Sequence, residues 1–190
     1  PIINVRTGRY IGCEALVRLR RPDGTLAHPH TFIEEAEDSG LAVEMTVLLM
    51  QRVRADLEAF YSRHPFLKVS INLFSERLPM ESSYKAKEII AGLQALGCQV
   101  ALDDVGTGHN GLKYLMELGV DIIKIDKLFI DGVSDSGFSK TIVEALIKLA
   151  GDMQIQVVAE GIESVEQVAK LKELGVDMAQ GYFYSRPLGP

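Results

Sequence analysis

The sequence predicts a parallel α/β fold close to a (β/α)8 barrel of the TIM type, and three observations carry that prediction. Short β-branched runs alternate with longer stretches of helical spacing. Polar or acidic residues recur at the ends of the apolar runs. The runs number seven in 190 residues, one short of the eight strands that close such a barrel, which usually takes about 250 residues.

In chain order, strands are predicted at 2–5, 11–19, 68–74, 99–105, 121–127, 156–162 and 177–184. The first two are joined by Arg6-Thr7-Gly8-Arg9, too short for a helical crossover, so an antiparallel hairpin is expected there. Helical spacing covers 31–39, 43–63, 85–96, 112–118, 139–152 and 165–174. Leu48, Leu49, Val53 and Leu57 fall on the inner stripe of the second helix, and Gly97 and Gly175 end the third and the last. The missing strand belongs between Asn72 and Glu76, where Leu73-Phe74-Ser75 passes directly into Glu76-Arg77-Leu78-Pro79. Either the full protein carries about 30 further residues at this junction, or it lacks a central strand; the first is favoured, because deletion leaves unpaired backbone on two core neighbours.

At 47% apolar the chain can bury one sizeable core. A net charge of -6 without a Lys/Arg block argues against a nucleic acid polymer or an anionic membrane as the main partner, and an anionic ligand would need metal ions to offset repulsion. Cys13 and Cys98 read as buried free thiols, suited to a reducing cytoplasm. Neither a stretch of about 18 apolar residues nor a leader pattern is present. The opening Pro1-Ile2-Ile3 reads as a piece of a longer protein.

The strand ends carry the chemistry. Glu14, Asn72, Asp103 and Asp104 are oxygen donors with no His or Cys among them, which favours Mg2+, Mn2+ or Ca2+ over zinc. Strand mouths converge on one face of a parallel barrel, and a carboxylate shared by two ions is how two-metal phosphoester hydrolases hold them about 4 Å apart. Taken singly, Asp103-Asp104 could cap a turn and Glu14 could pair with Arg18; the joint pattern favours a site. Lys124 stands inside the apolar run 122–126 and needs an anion beside it: Asp126, two positions on and on the same face, or a functional partner. Glu160 closes Val157-Val158-Ala159 and is a natural general base. His28, His30, His64 and His109 read as solvated loop residues. Gly106-Thr107-Gly108 lacks the Lys-Ser/Thr of a P-loop and reads as a mobile lid.

Together these residues resemble the EAL domain family, the cyclic di-GMP phosphodiesterases of bacterial signalling. The resemblance runs through Glu14-Ala15-Leu16 with Arg18, Asn72, Asp103-Asp104-Val105-Gly106-Thr107-Gly108, Lys124-Ile125-Asp126, Ala159-Glu160-Gly161-Ile162-Glu163 and Ala179-Gln180-Gly181-Tyr182. It implies a (β/α)8 barrel with one antiparallel strand and a single domain over 1–190, cut from a larger multidomain signalling protein. It also implies two Mg2+ or Mn2+ ions, the first on Glu14, Asn72 and Asp103 and the second on Asp103 and Asp104. Lys124 and Glu160 would position or deprotonate the attacking water, and Arg18, Leu16 and Gln180 would contact the ligand. The implied reaction opens one phosphodiester of cyclic di-GMP in line, giving linear pGpG. Upstream sensory or diguanylate-cyclase-like domains in cis, a homodimer, and a cytoplasmic location, as a soluble protein or as the inner part of a membrane-anchored one, belong to the same implication.

Three departures accompany it, one being that the Gln which usually precedes the family's initial Pro is not included before Pro1. The family's strand ending Glu-x-Thr-Glu has only its second, loop-anchoring Glu here, as Glu76; the metal-ligand position falls on Leu73. Val105 stands where the family usually has Phe, and His109-Asn110-Gly111 where it tends to have Tyr-Ser-Ser. The alternative implied by these departures is a degenerate module that binds cyclic di-GMP or a protein partner without cleaving the nucleotide.

Overall fold

Alternating apolar residues make the strands, and 3.6-residue spacing makes the helices between them. The structure, a computed structural model, describes residues 1–72, 83–106, 111–134 and 137–188. The strands are β1 (Ile2–Asn4), β2 (Tyr10–Ala15), β3 (Leu19–Arg20), β4 (Leu26–Ala27), β5 (Lys68–Ile71), β6 (Ala101–Val105), β7 (Ile122–Ile125), β8 (Gln156–Ala159) and β9 (Met178–Ala179). The helices are α1 (Ile33–Asp38), α2 (Ala42–Tyr61), α3 (Ser83–Ala95), α4 (Gly111–Leu118), α5 (Lys127–Ile130), α6 (Phe138–Asp152) and α7 (Val165–Leu174). Every predicted strand and helix has a counterpart: the strands are shorter than predicted, α2, α3, α4 and α6 begin one or two residues earlier, and α7 matches its predicted span. The β3–β4 hairpin, a 3-10 turn at Pro29–Thr31 and α5 were not expected. Glu76 and its junction lie outside the described residues, as do the expected lid beyond Gly106 and His109.

The chain divides into two compact units, Ile11–Leu78 and Pro1–Tyr10 with Pro79–Pro190. In the larger unit, β6, β7, β8 and β9 run parallel in that order, and β1 is antiparallel to β9, with Ile3 opposite Ala179. The turn after β1 closes through Asn4 N to Arg9 O at 2.9 Å and Gly8 N to Asn4 O at 2.8 Å. Ile123, Ile125, Val157, Ala159 and Ala179 form the core with Leu115 of α4, Val143 and Leu146 of α6, and Leu171 of α7. That burial fixes the sheet's other face by alternation: Lys124, Val158 and Met178 point away from these helices. In the smaller unit β2 pairs with β5 in parallel, with Glu14 opposite Ser70.

Two expectations are corrected. Leu48 is 64% exposed; the inner face of α2 runs instead through Ala42, Met45, Leu49, Val53 and Leu57, and position 48 is turned about 100° from 49. Cys98 is exposed and Cys13 half-buried, both as free thiols; Cys98 lies in the turn before β6 rather than in the strand. Among the described residues no helix is long and apolar enough to cross a membrane.

Candidate active site

Strand register brings the polar residues of the larger unit to one level. Ile125 is opposite Ala159, and Ala159 opposite Ala179, so Asp126, Glu160 and Gln180 stand one step beyond three adjacent strands. Two backbone bonds hold this level: Glu160 N donates to Ile125 O at 3.1 Å, and Gln180 N donates to Ala159 O at 2.9 Å.

Lys124 is the electrostatic centre. Its residue is only 7% exposed, and its ammonium meets Asp103 Oδ2 at 3.0 Å and Glu160 Oε1 at 2.6 Å. The same Glu160 oxygen accepts from Gln180 Nε2 at 2.6 Å. A buried ammonium with two carboxylates beside it is compensated, and each partner is held in turn. Asp126, the structural alternative for Lys124, caps α5 by accepting from Leu128 N at 2.7 Å.

Asp103 and Asp104 occupy a bulge in β6, where the register with β7 shifts between Leu102 and Val105. Asp104 adopts φ 52° and Gly106 φ 107°. This twist lets both adjacent carboxylates serve one site despite strand alternation. The carboxyl oxygens of Asp103, Asp104 and Glu160 lie within 4.8 Å of one another, close enough to share a cation. Burial raises the Asp104 carboxyl above its ordinary range, and the neighbouring Asp103 and hydrogen-bonded Asp126 raise it further. A set of hard oxygen donors that repel one another in this way fits a divalent cation.

The smaller unit holds the other predicted residues. Glu14 lies near the end of β2 and accepts from Asn72 Nδ2 at 2.9 Å, just past β5. Arg18 donates to Val17 O at 2.7 Å, and Leu16 is exposed. Asp126, expected as a strand-end polar residue, as part of the Lys124-Ile125-Asp126 motif and as a possible partner for Lys124, has two roles that the sequence reading does not give it, a contact with Asp104 and the cap of α5; an Asp before Lys127-Leu128-Phe129 is the N-cap signal.

A family model described as the EAL domain matches residues 1–85 and 74–187. The signaling protein YkoW of Bacillus subtilis is 30% identical over 221 residues, covering 100% of this chain and 28% of YkoW. The probable cyclic di-GMP phosphodiesterase PdeB of Escherichia coli is 33% identical over 218 residues, covering 99% of this chain and 42% of PdeB. The chain thus spans less than half the length of these curated relatives. Among solved structures, a PaMucR phosphodiesterase in complex with c-di-GMP superposes with a TM-score of 0.86 at 25% identity, covering 99% of this chain and 89% of that one. With the fold, the strand-end acids and a family match over nearly its whole length in agreement, the chain belongs to the EAL domain family.

Proposed function

We propose that the chain is the phosphodiesterase domain of a larger signalling protein, hydrolysing cyclic di-GMP to linear pGpG with two Mg2+ or Mn2+ ions. The observation that carries this reading is the carboxylate trio Asp103, Asp104 and Glu160, with Lys124 bonded to both strand mouths. Glu14, Asn72, Asp103 and Asp104 would hold the ions, which when bound would offset the ligand's phosphate charge and polarise the attacking water. Glu160 accepts the water's proton, while Lys124 and Gln180 fix its carboxylate through the two 2.6 Å contacts. Arg18 and Leu16 contact the nucleotide. Sensory or cyclase-like domains in cis, a homodimer and a cytoplasmic site of action complete the proposal.

A second reading, a module that binds cyclic di-GMP without cleaving it, is favoured by one observation. YkoW aligns over 221 positions against 190 residues here, 31 more, and residues 74–85 fall in both segments of the family match. That supports the expected shortfall of one strand and one helix after Asn72. Incubation with cyclic di-GMP and Mn2+ distinguishes the readings. Formation of pGpG that disappears in Glu14→Ala and Asp103→Ala supports the enzyme; binding without pGpG supports the module.

A further inference from the structure

The three clustered carboxylates come from β6 and β8, which are not neighbours: β7 lies between them. We propose that the one-turn helix α5, which follows β7, is the positioning element of this cluster, with Phe129 bracing Gly106 behind Asp103 and Asp104 while Lys127 and Ile130 brace the loop behind Glu160. The inference rests on the metal-dependent reading above.

On the β6 side, the bulge is bounded by two fixed points. Val105 is fully buried and returns to the ladder opposite Ile125. Gly106 then turns with φ 107°, and a methyl group built on it would come 2.7 Å from Cε2 of Phe129. Phe129 is itself part of the core, so its ring is a wall against which the backbone leans. The left-handed turn at Asp104 is therefore closed off on its C-terminal side.

The β8 side has a matching support. Gly161, at φ 69°, lies against the Lys127 methylenes so closely that no β-carbon fits. Lys127 Nζ reaches Glu163 at 3.2 Å as well as Asp131 at 2.7 Å. Buried Gln167 accepts from Glu163 N at 2.8 Å and Ser164 N at 3.1 Å, and donates to Ile130 O at 3.4 Å. The loop that begins at Glu160 is thus fastened to α5 as well as to its own helix. Ladder bonds set the height of each strand end; how closely the ends of β6 and β8 approach depends on the support that Gly106 and Gly161 share in α5. Glu160, which takes the water's proton in the proposed reaction, also supplies the third carboxylate of the cluster that could share a cation, so Phe129 and Gln167, which support the two sides of that cluster, are positioning residues.

The test measures Mn2+ binding by the metal-free protein, read from loss of the free-ion paramagnetic resonance signal, together with thermal melting. Phe129→Leu changes no charge. Gln167→Glu keeps a carboxylate oxygen for the loop N–H groups but removes the donor to Ile130. Leu146→Ala, in the core on α6, controls for lost stability. Phe129→Leu and Gln167→Glu are expected to weaken Mn2+ binding about tenfold, while Leu146→Ala melts lower yet stays within about twofold of the unmodified protein. The charge added by Gln167→Glu by itself favours a cation, so a loss there reports the cut tether. If Phe129→Leu does not fold, Gln167→Glu decides alone. Unchanged binding in the positioning variants, or an equal loss in Leu146→Ala, overturns the proposal and leaves the functional reading standing. No Mn2+ uptake by the unmodified protein overturns both.

Discussion

Asp104 combines two unfavourable conditions in one residue. Its φ of 52° lies in a region that costs an L-residue about 1–2 kcal/mol, although Asp and Asn tolerate it best. Its carboxyl is also pushed upward by burial, Asp103 and Asp126. Asp104→Asn keeps the backbone preference and removes the charge. The metal-free variant is expected to melt above the metal-free parent at pH 7, and to lose the Mn2+-induced rise that the parent shows. A lower metal-free melting temperature, or an undiminished Mn2+ increment, would count against the cation role of Asp104. The acids were legible in the sequence because a polar residue ending an apolar run is visible without coordinates. The bulge was not, since nothing in Leu102-Asp103-Asp104-Val105 marks where a ladder slips by a residue.

At the scale of elements, two helix-to-strand connections use the same residues, Glu117-Leu118-Gly119-Val120-Asp121 before β7 and Glu173-Leu174-Gly175-Val176-Asp177 before β9. Each Asp ties its connection to the neighbouring strand. Asp121 accepts from Val100 N at 2.8 Å and from Gln94 Nε2 at 3.0 Å, and Asp177 accepts from Val157 N at 2.9 Å. Removing such an acceptor strands a half-buried N–H, so Asp177→Ala should cost about 1.5–3 kcal/mol in urea unfolding. No change in the unfolding midpoint would show that water replaces the carboxylate. The connection before β8 differs: Gln154, at φ 59°, holds the left-handed conformation that Gly119 and Gly175 adopt. Gln154→Gly is expected to gain about 1 kcal/mol, raising the melting temperature by about 2–4 °C; a lower melting temperature would argue against this account. Period and punctuation made most elements readable beforehand. The exceptions were the two-residue strands β3 and β4, the 3-10 turn and α5, all too short to show a period; residues 126–127, at the start of α5, look in sequence like a continuation of the preceding strand.

At the scale of the whole molecule, sheet edges and an apolar helix flank occur around the same stretch of sequence. Among the described residues β5 pairs with β2, β6 pairs with β7, and neither has a second partner, whereas each parallel strand from β7 to β9 has a neighbour on both sides. On α2, Val43, Val47 and Met50 form an exposed apolar stripe beside the half-buried face. Unpaired edges and exposed apolar stripes are destabilising and prone to association. Both are what a fold lacking one strand and one helix between β5 and β6 would leave. Inserting the strand and helix expected between Asn72 and Glu76, taken from an EAL domain relative such as PdeB, should raise the melting temperature and weaken self-association in sedimentation. It should also tighten Mn2+ binding if that segment carries a metal ligand, as the resemblance implies. A chimera that melts no higher than the parent would mean that the chain needs no further strand there. The 31 extra positions in the YkoW alignment would then be an ornament of that protein rather than a part that this chain lacks.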